Sequence, residues 1–129
     1  MVYLYVFIGG GIGAVCRYFV TTMAGALLGG MFPWGTFTVN VLGSFLMGLV
    51  MGSLLPLAKS LQLLPESLRL LLTVGFLGGF TTFSSFSMET MTLLRGDSSL
   101  LAMMNILGNI VWGLAAVYAG WQLAMLLQH

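Results

Sequence analysis

The sequence predicts an all-α integral membrane protein with four transmembrane helices. Hydrophobic residues make up 59% of the 129 positions and charged residues only 5%, whereas a soluble protein carries roughly 25% charged residues. Because so few charges could not keep a globular surface in water, most of the surface must face lipid. Four separate stretches also reach the ~20 apolar residues that a membrane-crossing helix needs.

The four predicted spans occupy almost the whole chain, which we interpret as a single transmembrane domain covering residues 1–129. A Gly-Gly-Met-Phe-Pro turn separates the first two spans. A polar connection from Lys59 to Arg69 follows the second, and the turn Arg95–Asp97 precedes the fourth. The spans are expected at residues 2–28, 34–57, 68–94 and 100–127.

The first span carries one charged residue, Arg17, well inside its apolar stretch. An arginine at the bilayer centre costs between ~2.5 and more than 10 kcal/mol, depending on the scale, so it is a functional candidate by default. The alternative is a structural arginine that satisfies carbonyl groups or anchors a helix end. A positive charge at this depth favours a pathway for anions over one for cations.

The second span combines a stripe of small residues with one amide. Ser44, Gly48 and Gly52 recur every four residues, a spacing typical of helices that approach each other closely in lipid. Asn40 lies on the same span, and its amide has two N–H groups that could bind an anion. The alternative role for Asn40 is a hydrogen bond to a neighbouring helix, worth ~1 kcal/mol.

The third span contains a segment that is unfavourable for a continuous helix. Gly78 and Gly79 are followed after one residue by Thr81, Thr82 and then two serines, Ser84 and Ser85. Non-helical backbone inside a membrane is tolerated only where protein covers it or where it lines a wet cavity. A break frees carbonyl groups at one half-helix end and amide groups at the other. We therefore expect a mid-membrane break and an ion site here, with an intact serine-rich helix as the alternative.

Two phenylalanines and one carboxylate follow that segment. Phe83 and Phe86 are three residues apart and so share a helical face. The edge of an aromatic ring is positive and can face a small anion, although most phenylalanines in membrane helices only contact lipid or core. Glu89 is a candidate proton carrier, cation ligand or interfacial carboxylate, and the sequence does not separate these roles.

The fourth span repeats the small and polar pattern with Asn105, Gly108, Asn109 and Gly113. We interpret both asparagines as more typical of hydrogen bonds between helices than of a site, and keep Asn109 as a further candidate. The composition excludes other classes of function. The only histidine is His129, so a histidine-based catalytic or metal site has almost nothing to use, and the single cysteine, Cys16, rules out a cysteine metal cluster. A net charge of +1 gives no indication of nucleic-acid binding.

Three motifs resemble the Fluc (CrcB) family of fluoride channels. They are GGIGAVCRY from Gly10 to Tyr18, GTFTVNVLGSF from Gly35 to Phe45, and GFLGGFTTFSSFSME from Gly75 to Glu89. The motifs follow one another at family-like spacing, and the third is long and highly specific. The four-span plan extends the resemblance over essentially the whole chain.

The resemblance implies an antiparallel, dual-topology homodimer in the cell inner membrane, with two parallel fluoride pores and passive export of fluoride from the cytoplasm. It implies Phe83 and Phe86 as pore phenylalanines, Asn40 as a pore amide, and Arg17 near a vestibule. Hydroxyl groups such as those of Ser84 and Thr82 would line a polar track. A structural sodium ion would be held at the dimer interface by the carbonyl groups of Gly78 and Thr81, with no organic cofactor.

Two other functions are compatible with four small apolar helices. A dimeric four-helix exporter of cationic drugs requires an embedded carboxylate in the first helix, where this chain has Arg17 instead. A membrane assembly protein without transport activity would explain the small-residue stripes but not the Thr-Thr-Phe-Ser-Ser-Phe sequence. The fluoride channel is therefore the preferred hypothesis, and an enzyme is not expected.

Overall fold

A computed structural model describes residues 1–61 and 65–129, and every regular element in these two ranges is helical. Four helical stretches are long and apolar enough to cross a membrane: Val2–Leu28, Trp34–Ser53, Glu66–Arg95 and Ser99–Leu126. The predicted all-α class with four membrane-spanning helices is thereby confirmed. The elements are α1 (Val2–Leu28), α2 (Trp34–Leu61), α3 (Glu66–Leu70), a π-helical segment (Leu71–Leu77), α4 (Gly78–Phe80), α5 (Phe83–Arg95) and α6 (Ser99–Leu126).

The helix ends lie close to the predicted boundaries, with one clear difference. We expected a polar connection over residues 59–69, but α2 continues to Leu61 and α3 already begins at Glu66. The apolar pattern weakens after Leu57, yet the backbone remains helical because polar residues such as lysine are good helix formers. The middle of the predicted connection, residues 62–64, lies outside the described residues.

α2 and α6 pack closely against each other through glycines on both helices. A Cβ atom added at Gly48 would lie 2.1 Å from the carbonyl oxygen of Val117. In the same way, a Cβ atom at Gly120 would lie 2.1 Å from the carbonyl oxygen of Phe45. The two backbones are therefore in direct contact, and the predicted packing role of the α2 glycine stripe is confirmed.

α1 contacts the third span through a second set of glycines. A Cβ atom at Gly9 would lie 2.3 Å from the Leu71 carbonyl oxygen, and one at Gly13 would lie 2.1 Å from the Phe76 carbonyl oxygen. Both partners belong to the π-helical segment, whose wider turn is typical of functional positions in helices. The glycines of α1 thus bring the first span directly against the part of the third span that precedes its interruption.

Pro56 lies inside α2, and the end of the chain compensates for it. Proline has no N–H, so the carbonyl group four residues earlier, at Gly52, loses its helical partner. The side-chain amide of Gln128 donates to that carbonyl oxygen at 2.7 Å. A residue just beyond α6 therefore completes the hydrogen bonding of α2.

Two residues with extended backbone interrupt the third span. Thr81 has a ψ angle of 159° and Thr82 has φ and ψ angles of −150° and 119°, between the end of α4 at Phe80 and the start of α5 at Phe83. The Thr82 side chain caps α5 by accepting a hydrogen bond from the Ser85 amide at 3.1 Å. The chain therefore passes from these two residues directly into a new helix, α5, and not into a loop.

Candidate functional site

The Asn40 side chain replaces the helical hydrogen bonds that Thr82 lacks. The Thr82 amide donates to the Asn40 Oδ1 atom at 2.8 Å, and the Asn40 Nδ2 atom donates back to the Thr82 carbonyl at 3.1 Å. Both backbone groups of an extended residue are thus satisfied by one side chain from α2. An unpaired backbone group buried in this position would cost roughly 1–3 kcal/mol.

The second N–H of the Asn40 amide is also occupied. It donates to the Oδ1 atom of Asn109 at 2.9 Å, across the contact between α2 and α6. An amide has only two N–H groups, so Asn40 has no unused donor in this conformation. The predicted donation from Asn40 to an anion would require one of these two bonds to be exchanged.

The interruption also diverts the amides that would normally bond the carbonyl groups of Gly78 and Thr81. In a continuous helix the Gly78 carbonyl would accept from Thr82 and the Thr81 carbonyl from Ser85. Here the Thr82 amide bonds Asn40 and the Ser85 amide bonds the Thr82 hydroxyl. Gly78 is exposed and Thr81 partly so on the single chain. Two main-chain oxygens close to each other in sequence are thereby available as ligands.

Those main-chain oxygens are the type of ligand that hard cations prefer. Within residues 1–61 and 65–129, no group of three or more His, Cys, Asp or Glu side chains could hold a metal ion. A cation near this site would therefore depend on carbonyl and hydroxyl oxygens. The donor set fits the sodium ion that the family resemblance implies.

The two phenylalanines lie beside the interruption, at the edge of a groove of about 340 Å³. The ring centroids of Phe83 and Phe86 are 5.6 Å apart, and the ring planes are inclined at 49°. Phe83 is 78% exposed on the single chain. The polar residues that line the same groove are Asn40, Ser44, Thr81, Thr82 and Asn109.

Ser84 lies next to this groove rather than in its lining. Its hydroxyl oxygen is 3.3 Å from the hydroxyl oxygen of Thr82, so these two groups form one hydrogen bond. Ser84 is itself exposed on the single chain, as Phe83 is. The hydroxyl groups after the interruption therefore form a short polar path that leads outward from Thr82.

A second cavity, of about 230 Å³, lies on the other side of Thr82 and holds the two charged candidates. Arg17 and Glu89 both line it, together with Thr36, Thr82 and Ser85. The Oε1 atom of Glu89 accepts from the Thr36 hydroxyl at 2.8 Å, while its Oε2 atom is buried and has no protein partner among the described residues. Because Thr82 lines both cavities, the interruption separates two polar spaces.

Arg17 makes the hydrogen bond to a carbonyl group that its interpretation as a structural arginine requires. Its Nε atom donates to the Gly79 carbonyl at 3.0 Å, in the last turn before the interruption. This is the role of a structural arginine that satisfies a carbonyl group. Since Arg17 also lines the second cavity, its charge remains close to the polar space beside Glu89.

Both α6 asparagines form the hydrogen bonds between helices that we expected, and Asn109 also lines the groove. Asn105 donates to the Thr90 hydroxyl of α5 at 2.9 Å, and Asn109 accepts from Asn40 of α2. We did not single out Thr36 and Thr90 from the sequence. A signal was present, since each lies four residues from a candidate on the same helical face: Thr36 from Asn40, and Thr90 from Phe86.

Comparison with known proteins gives a consistent result. The family model described as CrcB-like protein, Camphor Resistance (CrcB), matches residues 4–121. A protein of Magnetococcus marinus is 47% identical over 116 residues, covering 90% of this chain and 91% of the relative. A protein of Geobacter sulfurreducens is 46% identical over 86% of each chain, and one of Methylocella silvestris is 43% identical over 97% of this chain and 94% of its own. All three relatives are named fluoride-specific ion channel FluC. The match over nearly the whole chain shows that this multi-pass membrane protein belongs to the CrcB family of fluoride channels.

Proposed function

We propose that this protein is a fluoride-selective channel of the plasma membrane that lets fluoride leave the cytoplasm passively. The observation that carries the proposal is the groove beside the interrupted third span. There the rings of Phe83 and Phe86 meet the hydroxyl and amide groups of Thr82 and Asn109. The names of relatives that are 43–47% identical over 86–97% of this chain support the same function.

The groove addresses the main difficulty of moving fluoride through lipid, which is the loss of its water shell. An isolated ion in a medium of low dielectric constant is extremely unfavourable unless polar groups replace the water. Of the hydroxyl groups of Thr82 and Ser84, which share one hydrogen bond, one keeps a hydrogen that it can donate to an anion, and the positive edges of Phe83 and Phe86 can face the ion. A series of weak sites allows the ion to enter and also to leave.

We place the interruption near the middle of the membrane. Thr81 and Thr82 are the sixteenth and seventeenth of the 30 residues in the apolar stretch Glu66–Arg95. Extended backbone at that depth requires protein partners, and Asn40 supplies two of them. The third span would then act as two half-helices with their ends facing the groove.

A sodium ion on the carbonyl oxygens of Gly78 and Thr81 is part of the proposal. Arg17 supports this arrangement from α1 by fixing the intervening carbonyl group of Gly79. When bound, a cation would lower the electrostatic cost of an anion in the nearby groove. The residues of the chain would hold it through main-chain oxygens alone.

We further propose that two copies assemble in opposite orientations. On a single chain the Phe83 ring and the Gly78 position are exposed. Backbone groups exposed to lipid without partners cost several kcal/mol each, so this face requires a cover, and a second copy brings the same polar groups to it. Lys59 and Arg69 flank one side of the membrane and Arg95 the other, a small bias that permits both orientations.

The cavity of Arg17 and Glu89 would form a vestibule on one side of the narrow groove. The Arg17 guanidinium raises the local concentration of anions in that space. Glu89 would keep a hydroxyl of Thr36 oriented through their 2.8 Å bond. The cavity thus collects the ion and the groove selects it.

Neither alternative function gains support. α1 contains Arg17 and no carboxylate, so it lacks the proton-coupling group of a small drug exporter. A non-transporting assembly protein would not require the polar groups that surround Thr82.

Flux from liposomes tests the proposal. Vesicles containing the purified protein are loaded with potassium fluoride or potassium chloride, and valinomycin is added to provide the counter-ion current. We expect rapid fluoride efflux with chloride retained. Equal efflux of both anions, efflux only of cationic drugs, or no efflux above protein-free vesicles would reject the function.

The double substitution Phe83→Ile with Phe86→Ile tests the assigned site. We expect fluoride efflux to be lost while the oligomer remains intact in size-exclusion chromatography, because isoleucine keeps the bulk but lacks a positive ring edge. Phe19→Ile is the matched control, since Phe19 is 64% exposed on α1 and does not line the groove. Normal efflux in the double variant would mean that the two rings only pack.

A further inference from the structure

A chain of side-chain amides connects α5, α6 and α2. Asn105 is completely buried, with 0% exposure, and donates to the Thr90 hydroxyl at 2.9 Å. Its Oδ1 atom accepts from Asn109 at 2.9 Å, and Asn109 in turn accepts from Asn40. We call Thr90, Asn105, Asn109 and Asn40 the amide relay.

One end of the amide relay fixes the direction of all its bonds. The Thr90 hydroxyl donates its single hydrogen to the Phe86 carbonyl at 2.8 Å, so its oxygen can only accept from Asn105. Asn105 must therefore turn its NH₂ group to Thr90 and its oxygen to Asn109. Asn109 must then turn its NH₂ group to the Asn105 oxygen, so its own oxygen is left to accept from Asn40.

The other end imposes the same direction. The Thr82 amide is a donor only, and it requires the Asn40 oxygen, which lies 2.8 Å away. The Asn40 NH₂ group is then left for Asn109 and for the Thr82 carbonyl. Reversing any one amide would place two donors or two acceptors against each other. Both ends therefore agree on a single arrangement.

The two ends of the amide relay also bracket the residues of the candidate groove. One end is the Thr82 amide and the other is the Phe86 carbonyl, and between them lies the first turn of α5 with Phe83 and Phe86. The relay passes outside α5, through α2 and α6, and returns to it. It therefore ties this one turn to the rigid α2–α6 pair at two points.

We propose that Asn105, acting through Asn109 and Asn40, is a positioning residue that holds the Phe83–Phe86 turn in its conducting geometry. The proposal rests on the proposed fluoride channel. Asn105 does not line the groove and contacts no transported ion; it sets the orientation of the Asn40 amide. In this arrangement Asn40 supports the interrupted backbone, because both of its N–H groups are already used.

Two threonines on α5 provide a matched test. Thr90 and Thr92 each donate to the carbonyl four residues earlier, at 2.8 and 2.9 Å, but the Thr90 oxygen also accepts from Asn105. Thr90→Val should lower fluoride efflux roughly tenfold, the rate equivalent of one hydrogen bond between membrane helices. Thr92→Val should leave it unchanged, and Thr90→Ser, which keeps the hydroxyl, should restore it.

Hydrogen exchange at the Thr82 amide provides a readout that does not depend on transport. In ¹⁵N-labelled protein in bicelles, Thr90→Val and Asn109→Ala should each speed exchange at Thr82 by roughly tenfold, while Thr92→Val should not. Asn109→Ala serves as the second variant in case Thr90→Val prevents folding, and Thr90→Val serves in the same way for Asn109→Ala. Faster exchange with unchanged efflux would reduce the relay to a structural role and overturn the proposal.

The outcomes separate this proposal from the proposed function. If the unmodified protein carries no fluoride, the channel function fails, while the exchange experiment still tests the relay itself. If the unmodified protein carries fluoride and Thr90→Val carries it equally well, the positioning role of Asn105 is overturned and the channel function stands. Lower fluoride efflux in Thr90→Val without any change in hydrogen exchange at Thr82 also overturns the proposal, because the effect would then not act through the amide relay.

Discussion

The α2–α6 pair and the third span satisfy their backbones in opposite ways. In α2 and α6 the backbone hydrogen bonds stay within each helix, apart from the Gly52 carbonyl that Gln128 bonds, and glycines such as Gly48 and Gly120 let the two backbones touch. In the third span the helical bonds end with the Thr81 amide, and side chains of other helices bond the Thr82 backbone and the Gly79 carbonyl instead. Packing of the α2–α6 pair therefore relies on glycines, which have no side chain, whereas the third span relies on the side chains of Asn40 and Arg17.

The difference indicates that the α2–α6 pair and the third span have different roles. Asn40 and Asn109, which hold the interruption, both project from the tightly packed pair. A rigid platform is needed because the amide of Asn40 must meet two backbone atoms of Thr82 at once. We therefore expect changes in the pair to affect folding and changes at the interruption to affect transport more than folding.

The largest expected effect is on the α2–α6 contact. Gly120→Ala places a Cβ atom against the Phe45 carbonyl oxygen and the Leu49 amide, which belong to a backbone that cannot move aside. Overpacking of this kind costs about 1–3 kcal/mol or more, so we expect a large loss of folded protein in SDS titration of mixed micelles. Gly25→Ala is the control, because its Cβ atom would meet nothing within 4 Å. Equal stability of the two variants would show that the pair tolerates separation.

A smaller effect on stability, with a larger one on transport, is expected at Thr82. Thr82→Val keeps the β-branched shape suited to extended backbone but removes the oxygen that caps Ser85 and bonds Ser84. Loss of an N-cap costs about 1 kcal/mol, whereas fluoride efflux should fall well below that of the unmodified protein. Thr82→Ser retains the oxygen and should restore both the unfolding midpoint and efflux. A Val variant with normal efflux would remove the hydroxyl from the proposed path.

Much of this arrangement follows from local patterns in the sequence. The four apolar stretches predicted the spanning helices to within a few residues, since hydropathy depends only on neighbours along the chain. The four-residue spacing of Gly48 and Gly52 likewise predicted a packing face. The unusual run from Gly78 to Ser85 marked the place where the candidate site lies.

The hydrogen-bond partners could not be predicted in the same way. Asn40 and Thr82 are 42 residues apart, and nothing local shows that one amide meets both backbone groups of Thr82. From the sequence, Asn40 was either a donor to an anion or a residue that forms a hydrogen bond to a neighbouring helix. In the fold its two donors are occupied, because three helices converge on it. Long-range convergence of this kind determines what a polar residue does inside a membrane.

The smallest expected effect concerns the one place where α2 itself needs help from another segment. Gln128→Leu leaves the Gly52 carbonyl, already without a helical partner because of Pro56, with no donor from Gln128. We expect a loss of about 1 kcal/mol in the free energy of unfolding, measured by SDS titration. Gln122→Leu is the matched control, since its amide only bonds the exposed Tyr118 hydroxyl on its own helix.

A double-substitution cycle distinguishes this specific role of Gln128 from general packing at the end of α6. Pro56→Ala restores an N–H to α2, so the Gly52 carbonyl regains a partner within the helix. Gln128→Leu should then cost almost nothing in the Pro56→Ala background, which gives a coupling energy close to the full effect of the single change. If Gln128→Leu costs the same with and without Pro56, the bond to Gly52 is incidental. In that case the α2 backbone would tolerate a carbonyl group without a hydrogen-bond donor. The α2–α6 pair and the third span would then differ only in how many backbone groups each leaves without a partner inside its own helix.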